Sequence, residues 1–155
     1  MKSLSLAVAT ALGVGYVPFA PGTFGSLAGL AVYAAVRFTG SPVAEIAAIV
    51  VVYLAGVWAA TAAETHFGHI DPGPVVIDEV LGMLVTLALV PVSMTGALVG
   101  FVLFRIFDVI KPPPCNALEK LPGGWGVMTD DLMAALYAWA CVKGLAWAAP
   151  AWMLG

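Results

Sequence analysis

The sequence predicts an all-α fold: a small polytopic membrane bundle of about four to five membrane-embedded helices, preceded by a short N-terminal interfacial helix. Of its 155 residues, 62% are hydrophobic and only 10% are charged, whereas soluble domains carry about 25% charged residues. The mean hydropathy is +1.02. Long apolar runs alternate with short segments rich in glycine and proline. The length and uniform composition favour one domain, residues 1–155.

The N-terminal segment combines Lys2 with an apolar stretch from Leu4 to Leu12. This pattern is compatible with a signal peptide, but Ala7 and Ala9 lie inside the apolar stretch, and no clear cleavage position follows it. We therefore expect a retained short helix that lies at the membrane interface.

The first two predicted spans are Thr23 to Phe38 and Ala44 to Ala63. Gly25 and Gly29 have the GxxxG spacing that allows close approach of helix backbones in lipid. The following segment, Glu64 to Pro74, is polar and contains two prolines, so we expect a turn region there.

Three further spans are predicted in the second half of the chain. The third runs from Val75 to about Val90, the fourth from Met94 to Ile110, and the last from Val127 to about Ala149. Three consecutive prolines, Pro112–Pro114, end the fourth span, and a glycine-rich segment, Gly123–Gly126, precedes the last.

Alternation of the spans places every unusual polar motif on one side of the membrane. The motifs on this side are Pro21–Thr23, Glu64–Asp71, Asp78-Glu79, Arg105–Lys111 and Gly123–Asp131. Arg105, Lys111 and Lys120 flank this polar face, whereas Arg37 flanks the other. The positive-inside tendency then predicts a polar face toward the cytoplasm.

Five acidic residues on the polar face predict a site for a hard divalent cation. They are Asp78, Glu79, Asp108, Asp130 and Asp131. A carboxylate near hydrocarbon is costly and persists where a cation, a basic side chain or water compensates it. Mg²⁺ is the best match, because it prefers oxygen ligands and bridges to phosphates. For a single pair, the alternative is simple capping of a helix N-terminus.

Two further segments have features of an anion site. Arg105, Asp108 and Lys111 are spaced three apart on one helix stripe, where arginine and lysine are typical phosphate ligands; the alternative is a self-neutralising ion network. The segment Pro18–Ser26 leads into a helix N-terminus and carries two hydroxyls. It lacks the Walker A ending, and a rigid turn is the equal alternative.

Other classes of function are disfavoured by the sequence. A net charge of −3 without a basic patch argues against nucleic-acid binding. His66 and His69 lack the spacing and the third ligand of a zinc site. Cys115 and Cys141 form no pattern typical of a disulfide or metal framework.

Four ordered motifs resemble those of the phosphatidylglycerophosphatase A family. They are GYVPFAPGTFGSLAG (Gly15–Gly29), DPGPVVIDEVLGM (Asp71–Met83), FRIFDVIKPPP (Phe104–Pro114) and GGWGVMTDDLMAA (Gly123–Ala135). The resemblance covers about a third of the chain. One departure is Glu119, which stands where the family pattern usually has aspartate, with a shorter spacing to the glycine pair.

The resemblance implies a small helical, Mg²⁺-dependent enzyme of the bacterial inner membrane, in agreement with the cytoplasmic polar face expected from the basic residues. Such an enzyme would remove the terminal phosphate of phosphatidylglycerophosphate, so its partners would be an anionic phospholipid and the membrane. The alternatives are a cation or proton transporter that uses the clustered acids and a purely structural subunit. The sequence leaves the oligomeric state open.

Both arguments together give the expected site. The expected metal ligands are Asp78, Glu79, Asp108, Asp130 and Asp131. The expected catalytic residues are Asp78, Glu79, Asp108, Asp131 and Lys111. The expected substrate-binding residues are Gly22, Thr23, Ser26, Arg105 and Lys111. The attacking group is either a metal-activated water or an aspartate that forms a phosphoenzyme.

Overall fold

The computed structural model describes residues 2–155, and within them all regular structure is helical, as predicted. A 3-10 turn, Val14–Tyr16, follows the first helix. The α-helices are α1 (Lys2–Ala9), α2 (Pro21–Arg37), α3 (Pro42–Phe67), α4 (Ile77–Thr86), α5 (Met94–Ile110), α6 (Cys115–Leu118), α7 (Gly124–Ala148) and α8 (Pro150–Met153).

Helix α4 is the centre of the bundle. Every residue from Ile77 to Thr86 is buried except the half-buried Glu79. Helices α2, α3, α5 and α7 pack around it, as expected for a helix that is apolar around most of its circumference. Its 10 residues span only about 15 Å, too short to cross a hydrocarbon layer of about 30 Å.

The first GxxxG pair faces the central helix. A methyl group on Gly29 would lie 2.8 Å from Cβ of Met83 and 3.0 Å from Cα of Val80. Gly25 approaches Val76 and Glu79 in the same way. The small residues therefore bring the backbone of α2 almost into contact with α4.

Some helix boundaries differ from the predicted ones. The prediction of a turn is wrong for the first four residues of the segment that begins at Glu64, because α3 continues to Phe67. The helix ends at Gly68, which has a φ of 79°. No helix-breaking residue precedes Gly68 in this segment. The third span is shorter than predicted: α4 ends at Thr86, and Leu89 has a φ of 57°. The bounds of α5 are the predicted ones.

By length and composition, one helix among the described residues is apolar enough to cross a membrane. This helix is α3, with 26 residues and only 28% of its most apolar window buried. Large exposed apolar residues also occur on other helices, among them Phe38, Val102 and Trp147, and such extended apolar surface marks contact with lipid or protein. The four-to-five-helix membrane bundle stays a prediction.

The contact of Gly29 with α4 predicts opposite effects of two identical substitutions. Gly29→Ala forces a methyl against Met83 and the backbone of Val80, so we expect the free energy of unfolding to fall by about 1–3 kcal/mol. Gly144→Ala in α7 meets nothing within 4 Å and is expected to raise it by about 0.5–1 kcal/mol through helix propensity. Unfolding in detergent micelles measures both; equal stability of the two variants contradicts this packing.

Candidate functional site

Three carboxylates from two helices meet at one end of the bundle. Asp78 and Glu79 come from the first turn of α4, and Asp131 comes from α7; one oxygen of each lies within 4.8 Å of the others. We call these three residues the carboxylate cluster. Asp78 and Asp131 are only 6% and 4% exposed. Carboxylate oxygens at this spacing are suited to a hard divalent cation.

Each member of the carboxylate cluster has an unsatisfied oxygen. Within the described part of the chain, Oδ1 of Asp78, Oε2 of Glu79 and Oδ2 of Asp131 are buried and have no hydrogen-bond partner. Burial and the neighbouring charge of Glu79 raise the pKa of Asp78, and burial raises the pKa of Glu79 to about 8. A bound cation would supply the missing partner and stabilise the ionised forms.

Arg105 on α5 links the cluster to the start of α2. Its Nη1 lies 2.7 Å from Oδ2 of Asp108 and 3.6 Å from Oε1 of Glu79. A methyl group on Gly22 would lie 3.0 Å from both terminal nitrogens of Arg105. The guanidinium is therefore held between a carboxylate of its own helix and the glycine at the start of α2, close to the cluster.

Lys111 forms a second cationic centre beside the cluster. Its Nζ lies 2.7 Å from Oδ2 of Asp130 and 3.2 Å from Oε2 of Glu119. Burial works against the lysine charge, but the hydrogen bond and the attraction to Asp130 outweigh it and raise the pKa of Lys111. Oδ1 of Asp130 also accepts the backbone N–H of Asp131 at 3.0 Å. The ion pair thus fixes the turn of α7 that presents Asp131.

The structure separates the five predicted metal ligands into two groups. Asp78, Glu79 and Asp131 form the cluster. Asp108 pairs with Arg105 and Asp130 pairs with Lys111, so each has a basic partner already. The metal-ligand roles of these two acids stay predictions.

The predicted anion donors at the start of α2 are placed differently from one another. Thr23 lines an open cavity next to Arg105. Ser26 is fully buried, and its hydroxyl donates to the carbonyl oxygen of Gly22 at 2.9 Å. The hydroxyl of Ser26 therefore stabilises the first turns of α2, and its substrate-binding role stays a prediction.

Two residues near the site were given no role by the sequence argument. The hydroxyl of Thr61 accepts the N–H of Gly124 at 2.8 Å, which fixes the start of α7 on α3. Oε1 of Glu64 is buried without a hydrogen-bond partner among the described residues. Both are polar residues at the end of an apolar span, and this position is the sequence feature that could have indicated a role for them.

Comparisons with known proteins identify a family for the chain. The family model described as Phosphatidylglycerophosphatase A matches residues 7–146. The chain is 35% identical to a phosphatidylglycerophosphatase A of Haemophilus influenzae, over 95% of this chain and 89% of that protein. It is 32% identical to the phosphatidylglycerophosphatase A of Escherichia coli, over 83% and 76% of the two chains.

A third relative has another lipid in its name. A protein of Bacteroides thetaiotaomicron with the provisional name phosphatidylinositol-3-phosphatase is 36% identical, over 93% of this chain and 94% of that protein. No solved structure matches the chain.

The raised carboxyl pKa values predict that cation binding tightens with pH. Below about pH 8 a proton on Glu79 competes with the cation, and this competition disappears above that pH. We expect the affinity for Mn²⁺, used as a spectroscopic probe, to rise by about tenfold or more between pH 6 and pH 9. Electron paramagnetic resonance on the purified protein measures the free ion. An affinity that is independent of pH, or retained in Asp131→Asn, contradicts a site at the cluster.

The ion pair between Lys111 and Asp130 predicts a dependence of each partner on the other. Lys111→Met leaves Asp130, with a side chain only 5% exposed, without its closest cation, so we expect a loss of about 3 kcal/mol in the free energy of unfolding. Adding Asp130→Asn should recover most of the loss. The exposed Lys120→Met is the matched control. Additive effects of the two substitutions would show that the pair carries no such coupling.

Proposed function

The chain belongs to the phosphatidylglycerophosphatase A family, and from this premise we propose that it hydrolyses the terminal phosphomonoester of phosphatidylglycerophosphate to phosphatidylglycerol and phosphate. The observation that carries the proposal is the carboxylate cluster beside Arg105, with one unsatisfied buried oxygen on each acid. This arrangement combines a site for a divalent cation with a guanidinium that can donate two N–H groups to phosphate oxygens. The names of two relatives support the lipid.

Mg²⁺ is the cation that the donor set favours. Three carboxylate oxygens within 4.8 Å provide hard, anionic ligands, and a small cation that keeps several waters would leave positions open toward a phosphate. Histidine and cysteine, the usual zinc ligands, are absent from the cluster. When bound, Mg²⁺ supplies charge neutralisation at phosphate oxygens and acidifies water.

The residues of the chain then have distinct roles in the proposed reaction. Asp78, Glu79 and Asp131 hold the cation. Arg105 binds phosphate oxygens, and Asp108, at 2.7 Å, orients its guanidinium. Phosphoryl transfer depends mainly on positioning and on charge stabilisation, so the fixed geometry of these groups is what the reaction requires.

The groups next to the cluster position the reactive ones. Gly22 allows Glu79 and Arg105 to approach the start of α2, since a side chain there would touch the carboxylate and the guanidinium, and Thr23 offers a hydroxyl at the same end of α2. Lys111 adds positive charge near the phosphate, and its pair with Asp130 keeps Asp131 in the cluster. Trapping of a phosphorylated aspartate would distinguish attack by an aspartate from attack by water.

A lipid substrate also accounts for the apolar exterior. We propose that α2, α3, α5 and α7 enter the bilayer of the bacterial inner membrane and surround the short α4, with the cluster at the cytoplasmic face. All three relatives come from bacteria, and Arg105 and Lys111 lie at the cluster end of the bundle, in accord with the positive-inside tendency. The transporter alternative is not favoured, because the relatives have names of phosphatases.

Phosphate release by the purified protein tests this proposal. We expect release from phosphatidylglycerophosphate that a chelator abolishes and Mg²⁺ restores. Asp78→Asn and Asp131→Asn should each lower kcat by about a hundredfold or more. Phosphatidylinositol 3-phosphate is the comparison substrate, because one relative is named for it.

The matched control removes a buried carboxylate far from the cluster. Glu45→Gln changes a side chain 4% exposed that pairs with Arg37 at the opposite end of the bundle, and its kcat should stay close to that of the wild type. Full activity of the two aspartate variants would refute the cluster as the active site. A preference for phosphatidylinositol 3-phosphate would refute the proposed substrate.

A further inference from the structure

A cavity beside Arg105 opens on the outer face of the bundle. It has a volume of about 530 Å³ and lies between the start of α2 and the second half of α5. Thr23 and Arg105 are its polar lining residues, and its other walls are apolar: Phe101, Val102, Ile106, Val109 and Ile110. Val102 and Val109 are 53% and 73% exposed, so the cavity is open toward the surroundings of the bundle.

A second cavity continues along the same two helices. It has a volume of about 490 Å³, and Ala97 and Leu98 of α5 and Ala31 and Ala34 of α2 are among the residues that line it. Phe101 and Val102 of the first cavity follow Ala97 and Leu98 by four residues, so both cavities lie on one face of α5. We call the surface formed by the two cavities the α2–α5 seam.

The part of the seam between Arg105 and its far end is about as long as one membrane leaflet is deep. Eleven residues separate Arg105 from Met94, which lines the far cavity, and at 1.5 Å per residue the distance along the helix is about 16 Å. Half of a hydrocarbon layer of about 30 Å is nearly the same.

Arg105 joins the seam to the proposed active site. Its side chain lines the first cavity, while its guanidinium lies 3.6 Å from Glu79 of the carboxylate cluster. A phosphate held at Arg105 would therefore place the apolar part of the same molecule at the entrance of the seam. An anionic head and an apolar tail are the two chemical parts of a phospholipid.

We infer that the α2–α5 seam binds one acyl chain of the phospholipid substrate while Arg105 holds its phosphate. The inference rests on the proposed function and adds the part of the molecule that recognises the lipid. The acyl chain enters the seam laterally from the bilayer, along exposed residues of α5 such as Val102 and Val109. The phosphomonoester therefore reaches the cluster while the lipid stays in its leaflet.

The test is photo-crosslinking in vesicles of phosphatidylethanolamine with a chelator present, so that no turnover occurs. The probe is phosphatidylglycerophosphate with a diazirine in the middle of one acyl chain; phosphatidylcholine with the same labelled chain serves as the comparison. We expect the first probe to label residues of α2 and α5 along the seam, and the second to label them at least about fivefold less. Equal labelling by both probes would assign the seam to bulk lipid and overturn the inference.

Two identical substitutions at equally exposed positions give the matched control. Val102→Trp fills the first cavity, whereas Val50→Trp changes a residue of α3 that is 50% exposed, against 53% for Val102, and that lies outside the seam. We expect Val102→Trp to reduce seam labelling about tenfold, equivalent to about 1.4 kcal/mol, and Val50→Trp to leave it unchanged. Unchanged labelling in Val102→Trp would overturn the inference. Melting temperatures of both variants verify that each is folded.

Kinetics separate a failure of the seam from a failure of the proposed function. The ratio of KM for dihexanoyl to dipalmitoyl phosphatidylglycerophosphate should fall about tenfold in Val102→Trp and stay constant in Val50→Trp, because only the long chain fills the seam. A wild-type protein that releases no phosphate from either lipid would refute the proposed function, and crosslinking would still decide the seam. An equal loss on both substrates would contradict recognition of the acyl chain by the seam.

Discussion

The arrangement of this bundle depends on the burial of three carboxylates at the N-terminal end of its central helix. Asp78, Glu79 and Asp131 each have a buried oxygen without a hydrogen-bond partner among the described residues. Placing such groups out of water is costly unless a charge compensates them. The nearest cation among the described side chains, on Arg105, is 3.6 Å from Glu79 and only 2.7 Å from Asp108. The cluster therefore has more carboxylates than its basic neighbours can neutralise, which is the property of a cation site.

Close packing of backbones makes this convergence possible. Gly25 and Gly29 bring α2 against α4, so that the first turn of α2 reaches Arg105 and Glu79. At the same end, Gly124 packs against the backbone of α3 and donates to Thr61, which fixes the start of α7 and, two turns later, Asp131. Close packing at small residues thus determines which polar groups meet at this end of the bundle.

Much of this arrangement follows from the sequence, and the remainder depends on helix rotation. Proline and glycine breaks together with alternating spans predicted the bounds of α5 and the meeting of the polar ends. The sequence did not predict which charged side chains pair with one another. Asp130 and Asp131 diverge as adjacent helical residues do, but Asp78 and Glu79 both enter the cluster. The inward hydroxyl of Ser26 likewise depends on how α2 is turned.

The far end of the central helix shows what a structural carboxylate looks like in this protein. Glu45 is 3% exposed, as buried as Asp78 and Asp131 of the cluster. One of its oxygens accepts from Arg37 at 2.7 Å, and the other accepts the backbone N–H of Leu89 at 2.8 Å, so both are satisfied and the residue fastens α2, α3 and the segment after α4 together. The same fold therefore satisfies a buried carboxylate fully where its role is structural. Because it leaves one oxygen of each cluster acid unsatisfied, the open positions at that end are best explained as positions for a ligand.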